Sequence, residues 1–346
     1  MEKIMKIDDL KNQMGGGRED WIDILKGIGI ILVVIGHISI GNSLVKWIYS
    51  FHMPLFFILS GYVFGRGKKQ YTFVKFAEKR TKSILVPFVV FRILLIIYWL
   101  IIESHFRNLD LGPIWFLIVL YIVELISYVI LEKVPLYLNC VFIIGMFIML
   151  YYILWQESII IGWKAWTVRI INAFIWYVIG AVVGKLQVQW KKIVEIERNK
   201  KIFILLCLLL ISIWSGMSNS LVSMWSNCFG NYQLWIIANI SGSLFVAFLC
   251  KWIIIKSRVL QWYGRNTIII LATHEPIKRI VLKCMEIFLN KCCIRLATSD
   301  LQVNVIISMI IVILVMLIEI FVIKIFQWIK ACFSDSIQKN WIGWIY

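Results

Sequence analysis

Asp23, Lys26 and His37 are the polar members of an otherwise apolar run from Trp21 to His37. Lys26 and His37 are 11 positions apart, which on a helix is three turns plus about 20° and a rise of about 16.5 Å. Both therefore lie on one face, in a stripe that continues through Ile30 and Val34 and could hold an extended ligand. A snorkelling lysine and a histidine bonded to a neighbouring helix would give the same stripe. A second imidazole, His52, follows after a short turn and falls at the same end as His37. Two neighbouring imidazoles can divide a proton transfer between them, and a neutral imidazole is suited to general base work near neutrality; alone, His52 reads equally as an interfacial histidine. Asp23 sits too far down the helix to orient His37 well, and its expected local partner is Lys26.

The elements that must position these residues are membrane helices. Of 346 residues, 61% are hydrophobic and only 16% charged, well under the quarter or so of a soluble domain. The mean hydropathy is +0.85. Apolar windows long enough to cross hydrocarbon fall at 21–41, 46–65, 83–103, 112–132, 134–155, 166–186, 202–218, 233–253, 260–279 and 303–326, about ten spans in all. The predicted fold is thus an all-α integral membrane bundle of about ten transmembrane helices, with any chemistry inside it. Residues 1–18 read as a flexible leader, 19–330 as the membrane domain and 331–346 as a tail. The 260–279 window is short, and Thr273 to Pro276 reads as a possible break.

Thirty-six Lys and Arg against 19 Asp and Glu give a net charge of +17. In a bundle this reflects cytoplasmic loops rather than nucleic-acid binding, and such loops lie near anionic lipid and attract polyanions. The loops 66–82 and 185–201 carry the densest positive charge, which places both, and with them both termini, in the cytoplasm; the plasma membrane is the expected location. The basic stretch 278–295 disagrees, since it would lie outside. The eight cysteines form no CxxC pair or zinc pattern. The charged first 20 residues do not form a cleavable signal. No Gly-x-Ser-x-Gly or His-Glu-x2-His occurs, which removes serine-hydrolase and zinc-protease readings.

Four motifs, in order, resemble a known family. Asp23-x2-Lys26-x10-His37, then His52-Met-Pro-Leu-Phe-Phe-Ile-Leu-Ser-Gly-Tyr62, then Gly112-Pro-Ile-Trp115-Phe-Leu117, and lastly Thr273-His274-Glu275-Pro276-Ile277 are similar to those of integral membrane acyltransferase family 3, in its fucose acetylase-like and polysaccharide O-acetyltransferase branch. The resemblance covers roughly Arg18 to Lys330. It implies transfer of an acyl group, usually acetyl from acetyl-CoA, to a hydroxyl of a sugar or cell-envelope glycan, with no metal. By the same resemblance His37 is the catalytic histidine, with His52 or Asp23 as possible orienters, and Lys26 is the basic member that meets cofactor phosphate or an acidic partner. The family's Arg-x2-Arg pair falls on Lys79-Arg80-Thr81-Lys82-Ser83. Arg80 fits its first position, Ser83 replaces the second, and Lys79 and Lys82 are candidates to compensate. The partners implied are acyl-CoA, a glycan or lipid-linked sugar, and membrane lipid.

Other ionisable residues inside spans are functional candidates by default. Arg92 is expected to pair with Glu124 and to face the substrate tunnel; Glu124 and Glu319 read as structural. Trp115, His274 and Glu275 are expected to wall the site. The rival reading is a secondary transporter or glycan exporter that uses intramembrane His, Glu and Arg, with Thr273 to Pro276 as its broken helix.

Overall fold

The computed structural model of the protein describes residues 19–38, 43–67, 71–103, 111–133, 136–156, 161–186, 196–254, 256–291 and 305–336. The leader 1–18, the end of the basic stretch from 292 and the tail from 337 lie outside the described residues. Helices dominate throughout, and among the described residues the only β pairing is one isolated bridge, Ser223 with Cys228.

We number the helices α1 (Asp20–Ile38), α2 (Ser43–Tyr49), α3 (His52–Arg66), α4 (Phe73–Ile101), α5 (Trp115–Lys133), α6 (Leu136–Gln156), α7 (Gly162–Lys185), α8 (Arg198–Ser218), α9 (Tyr232–Trp252), α10 (Arg258–Arg265), α11 (Thr267–Lys291) and α12 (Val305–Ser336). Eight described segments are long and apolar enough to cross a membrane: α1, α2 with α3, α4, the segment Gly112–Leu131, α7, α8, α9 and most of α12. The other two expected spans fall on α6 and α11. Residues 143–153 of α6 are apolar, and α11 carries Glu275, Lys278, Arg279 and Lys283. Charge concentrated on α11 keeps it below the apolarity of a simple span, and it carries His274 and Lys278 into the core.

The window 260–279 is corrected in two respects. The break lies at Asn266, between α10 and α11, and not at Thr273 to Pro276; α11 runs unbroken through Pro276 to Lys291. Pro276 gives up the hydrogen bond to the Ala272 carbonyl, a loss that the packed neighbours around it tolerate. Lys278, Arg279 and Lys283 are therefore helical residues and not part of an external loop.

Local chemistry explains several helix ends. Asn231 caps α9 by accepting from the Leu234 N–H at 3.1 Å, and Ser257 caps α10 by accepting from the Leu260 N–H at 3.3 Å, the usual use of these residue types. Within α4, Pro87 has no N–H to donate to the Ser83 carbonyl, and the helix widens to a π turn over Thr81–Leu85 just before it. Gly112 has φ +51° and nothing within 4 Å of a built Cβ, so its need for glycine is conformational. That left-handed residue turns the chain into Gly112–Ile114 and on into α5.

The centre of the bundle is aromatic, with Phe57, Trp176, Tyr177 and Trp235 fully buried. Its tightest contact is the crossing of α3 and α7. A Cβ on Gly61 would lie 1.8 Å from the Tyr177 carbonyl oxygen, and one on Gly180 would lie 1.9 Å from that of Ile58. The two backbones touch through Gly61-x3-Gly65 and Gly180-x3-Gly184, the small-residue packing that membrane helices use where apolar burial gives little drive for association. A similar contact brings α10 onto α1, where a Cβ on Gly264 would lie 1.8 Å from the Asp23 carbonyl oxygen.

Gly61→Val is expected to force α3 and α7 apart. Melting of the detergent-solubilised protein, followed by size-exclusion fluorescence, should show a loss of at least about 2 kcal/mol or no monodisperse protein. Gly145→Ala, where nothing lies within 4 Å, should melt as the wild type does.

Candidate active site

The sequence separates His37 from His274 and Glu275 by more than 200 positions, yet α1 and α11 bring all three together. The rings of His37 and His274 have centroids 5.0 Å apart. One nitrogen of each ring and a carboxylate oxygen of Glu275 all lie within 4.8 Å of one another. Glu275 in turn holds two cations of its own helix: Lys278 Nζ lies 2.7 Å from Oε2 and Arg279 Nε 3.3 Å from Oε1. The Lys278 ammonium also donates to the backbone carbonyl of His37 at 3.2 Å, one of the last carbonyls of α1, which has no partner within its own helix. One side chain thus fixes both the end of α1 and the carboxylate beside His37.

Tautomers follow from the carbonyls that the rings meet. His274 Nδ1 lies 2.8 Å from the Ile270 carbonyl oxygen, and His52 Nδ1 lies 2.9 Å from that of Ile48. A carbonyl can only accept, so each Nδ1 carries the hydrogen and each neutral ring keeps its lone pair on Nε2. His274 is fully buried, whereas His37 keeps some accessible surface. Three ligand-type atoms this close could also meet a cation. The ammonium of Lys278 already supplies positive charge at the carboxylate, however, so the set suits a proton carrier better.

The accessible side of His37 opens on a cavity of about 290 Å³, near the small end of the range for ligand sites. Tyr49 of α2, His52 and Met53 of α3, and Arg92, Leu95 and Trp99 of α4 form one side. Leu111, Gly112, Pro113 and Trp115 before and within α5, Ser223 to Trp225 from the loop joining α8 and α9, and Glu275, Pro276 and Lys278 of α11 complete it. The Tyr49 ring neighbours both imidazoles, 6.1 Å from His37 and 4.9 Å from His52 by centroids.

A second polar group occupies the other half of the bundle. Arg80 Nε forms an ion pair with Glu124 Oε2 at 2.8 Å, and the glutamate is 3% exposed. Lys26 of α1 adds a second positive charge that acts on Glu124 through space. Thr81 and Tyr121 share a hydrogen bond of 2.9 Å close by. The expected pairing of Glu124 with Arg92 is therefore corrected. Arg80, set at the start of the π turn, takes Glu124, and Arg92 lines the cavity. Lys82 pairs with Glu78 at 2.6 Å, and Lys79 lies 5.1 Å over the Tyr71 ring.

Of the sequence candidates, His37, His52, Arg92, Trp115 and Glu275 line the cavity, with His274 packed behind His37. Asp23 is not brought to His37. It bonds Arg265 of α10 at 3.0 Å, 14 positions and about 21 Å of helix away. Lys26, Lys79, Arg80 and Lys82 belong to the far half. Glu319 accepts from Thr273 Oγ1 at 2.8 Å. Sequence reasoning missed Lys278, Tyr49 and Trp225. Lys278 was legible in principle, since Glu275 and Lys278 have the i,i+3 spacing of a helical ion pair. Trp225 sits in an uncharged loop that no local pattern directs towards the cavity.

A family model described as an acyltransferase domain matches residues 19–324. No curated protein and no solved structure matches the chain.

Lys278→Met should leave the bundle assembled, with Glu275 still paired to Arg279, but release the end of α1 and remove the nearer cation from the carboxylate. Acyl transfer per inserted molecule is expected to fall by at least about tenfold, with Lys278→Arg retaining more activity than Lys278→Met. Transfer rates on membranes of matched protein content check both.

Proposed function

The chain belongs to acyltransferase family 3, a family of multi-pass membrane enzymes, and we propose that it moves the acetyl group of acetyl-CoA to a hydroxyl of a cell-envelope or lipid-linked glycan, with His37 as general base. Family membership decides against the transporter reading, and α11 is continuous through Thr273 to Pro276, where that reading put its break. The observation that carries the proposal is the convergence of His37, His274 and Glu275 at the edge of one cavity.

A thioester supplies an activated acyl carbon and a sulfur leaving group. A sugar hydroxyl is a weak nucleophile until a base removes its proton during attack. His37, with accessible surface on the cavity, takes that proton as the hydroxyl oxygen bonds to the acyl carbon. The carboxylate of Glu275, held by Lys278 and Arg279, sits where it stabilises the imidazolium that results. As the carbon–sulfur bond breaks, His37 returns the proton to the departing sulfur, and the site is restored. His274 backs the His37 ring, and His52, with its lone pair on Nε2, is the second base on the cavity. Arg92 and Trp115 contact the acceptor or the acyl group.

The donor's phosphates fit the other half of the bundle. Lys26, Lys79, Arg80 and Lys82 gather cations there, and Lys26 stands about 16.5 Å along α1 from His37, a distance for a long slender arm to span. In this reading the positive charge of loops 66–82 and 185–201 sets that end on the cytoplasmic side of the plasma membrane, with the cavity towards the outer side.

Wild type and His37→Ala, inserted at equal levels, should be supplied with radiolabelled acetyl-CoA and the glycan fraction of the source cells. Label should enter glycan with the wild type and fall at least about a hundredfold in the variant. Equal labelling would remove His37 from the chemistry.

A further inference from the structure

Residues 219–231, between α8 and α9, carry no charged side chain but are densely tied together. The Asn219 side chain accepts from the backbone N–H groups of Ser220 and Asn231 at 2.8 Å and donates to the carbonyls of Phe229 and Asn231 at 2.9 and 3.1 Å. Ser223 and Cys228 exchange two backbone hydrogen bonds of 2.7 and 3.0 Å. Asn227, at φ 55°, donates its side-chain amide to the Ala165 carbonyl of α7 at 3.2 Å. Val222, Met224 and Phe229 are buried. The segment is a fixed plug at the cavity end, and it presents Trp225 to the cavity.

Arg169 of α7 holds that indole. Its guanidinium carbon lies 4.2 Å from the centre of the Trp225 ring and 4.9 Å from that of Trp166, and its Nε donates to the Trp225 carbonyl at 2.6 Å. Arg169 is only 8% exposed. A guanidinium within a membrane bundle is costly, and here it is placed where cation–π attraction and a charge-assisted hydrogen bond both act on one tryptophan. Covering one face of the indole fixes the plane of the ring. Trp225 then meets Trp115, also in the cavity wall, at 6.0 Å between centroids and 37° between planes. The cavity therefore joins an aromatic corner to the polar set His37, Glu275 and Lys278.

We infer that the corner of Trp225 and Trp115 is the acceptor platform, and that it takes the C–H face of a pyranose ring. A sugar ring carries the same division: a C–H face with slight positive charge that suits the negative face of an indole, and a rim of hydroxyls for the polar set. Stacked on the corner, the ring is held by its apolar face while one hydroxyl points to His37. Arg169 is a positioning residue that acts through Trp225. This assignment rests on the proposed transfer to a sugar.

The test uses the full chain in membranes, radiolabelled acetyl-CoA and a titrated lipid-linked glycan extract of the source cells. Trp225→Ala should raise the half-saturating glycan concentration about tenfold, with the acetyl-CoA KM and the limiting rate changed less than about twofold. Trp225→Phe should keep most of the glycan affinity, and Arg169→Gln should raise the glycan KM without raising that for acetyl-CoA. If wild type labels glycan in a His37-dependent way and Trp225→Ala keeps the wild-type glycan KM, or weakens donor and glycan alike, the platform is refuted and the transferase reading stands. If wild type shows no His37-dependent labelling of glycan, the sugar reading fails and takes the platform with it.

Discussion

One ammonium group joins the two helices that make the site. Lys278 of α11 reaches the carbonyl of His37 at the end of α1 and the carboxylate of Glu275 one turn away on its own helix. The end of α1 needs a donor for its unpaired carbonyls, and the carboxylate needs a cation to be tolerated inside the bundle. Both needs are met by the same residue, so α1 is docked with His37 beside Glu275 and His274. Without that bridge the apolar surfaces of the two helices would still pack, but nothing would set the imidazole against the carboxylate to within the few ångströms that proton transfer requires.

The rest of the bundle serves that junction. Gly61, Gly65, Gly180 and Gly184 bring α3 and α7 into backbone contact, which sets the depth of His52 at the start of α3 and of Arg169 on α7. Gly112 starts the turn that leads Trp115 into the cavity wall. Buried ionisable groups are compensated one by one: Asp23 by Arg265, Glu124 by Arg80, Glu275 by Lys278 and Arg279, and Glu319 by the Thr273 hydroxyl. Removing one member of such a pair leaves the other exposed to the full cost of an unpaired charge in a medium of low dielectric. The polar groups also fall into two sets along α1, one around Lys26 and one around His37. A donor with a polyanionic head and a distant acyl carbon suits that separation, and an acceptor that carries both an apolar face and hydroxyls suits the cavity.

The class of fold was legible because hydrocarbon imposes a simple rule on composition: long uncharged windows become helices. Likewise, residues on one helix are related by a fixed rotation, so the stripe from Lys26 to His37 could be read directly. Pairings between helices could not be. Arg92 and Arg80 lie on the same element, and the choice of Glu124 between them depends on the π turn at Thr81–Leu85, a response to Pro87 that changes which side chains face α5. The break at Asn266 was misplaced to Pro276 because proline is the louder local signal, although a packed helix can absorb a missing hydrogen bond. The i,i+3 pair of Glu275 and Lys278 was present in the sequence, but Glu275 reads as a wall of the site and Lys278 as loop charge, since so many charged residues on one helix contradict the apolarity rule. Trp225 had no local signal at all; its place depends on Asn219, Asn227 and Arg169, which are distant from one another in sequence or chemically ordinary.

The account holds that His37 and Glu275 act as one unit, and a double-mutant cycle of acyl transfer measures this directly. His37→Ala, Glu275→Gln and the double variant should be compared in membranes at matched content. If the carboxylate works through the imidazole, each single change lowers the rate and the double variant is no slower than His37→Ala alone. If the two losses multiply instead, the residues act independently, and a shared role at the junction of α1 and α11 is wrong.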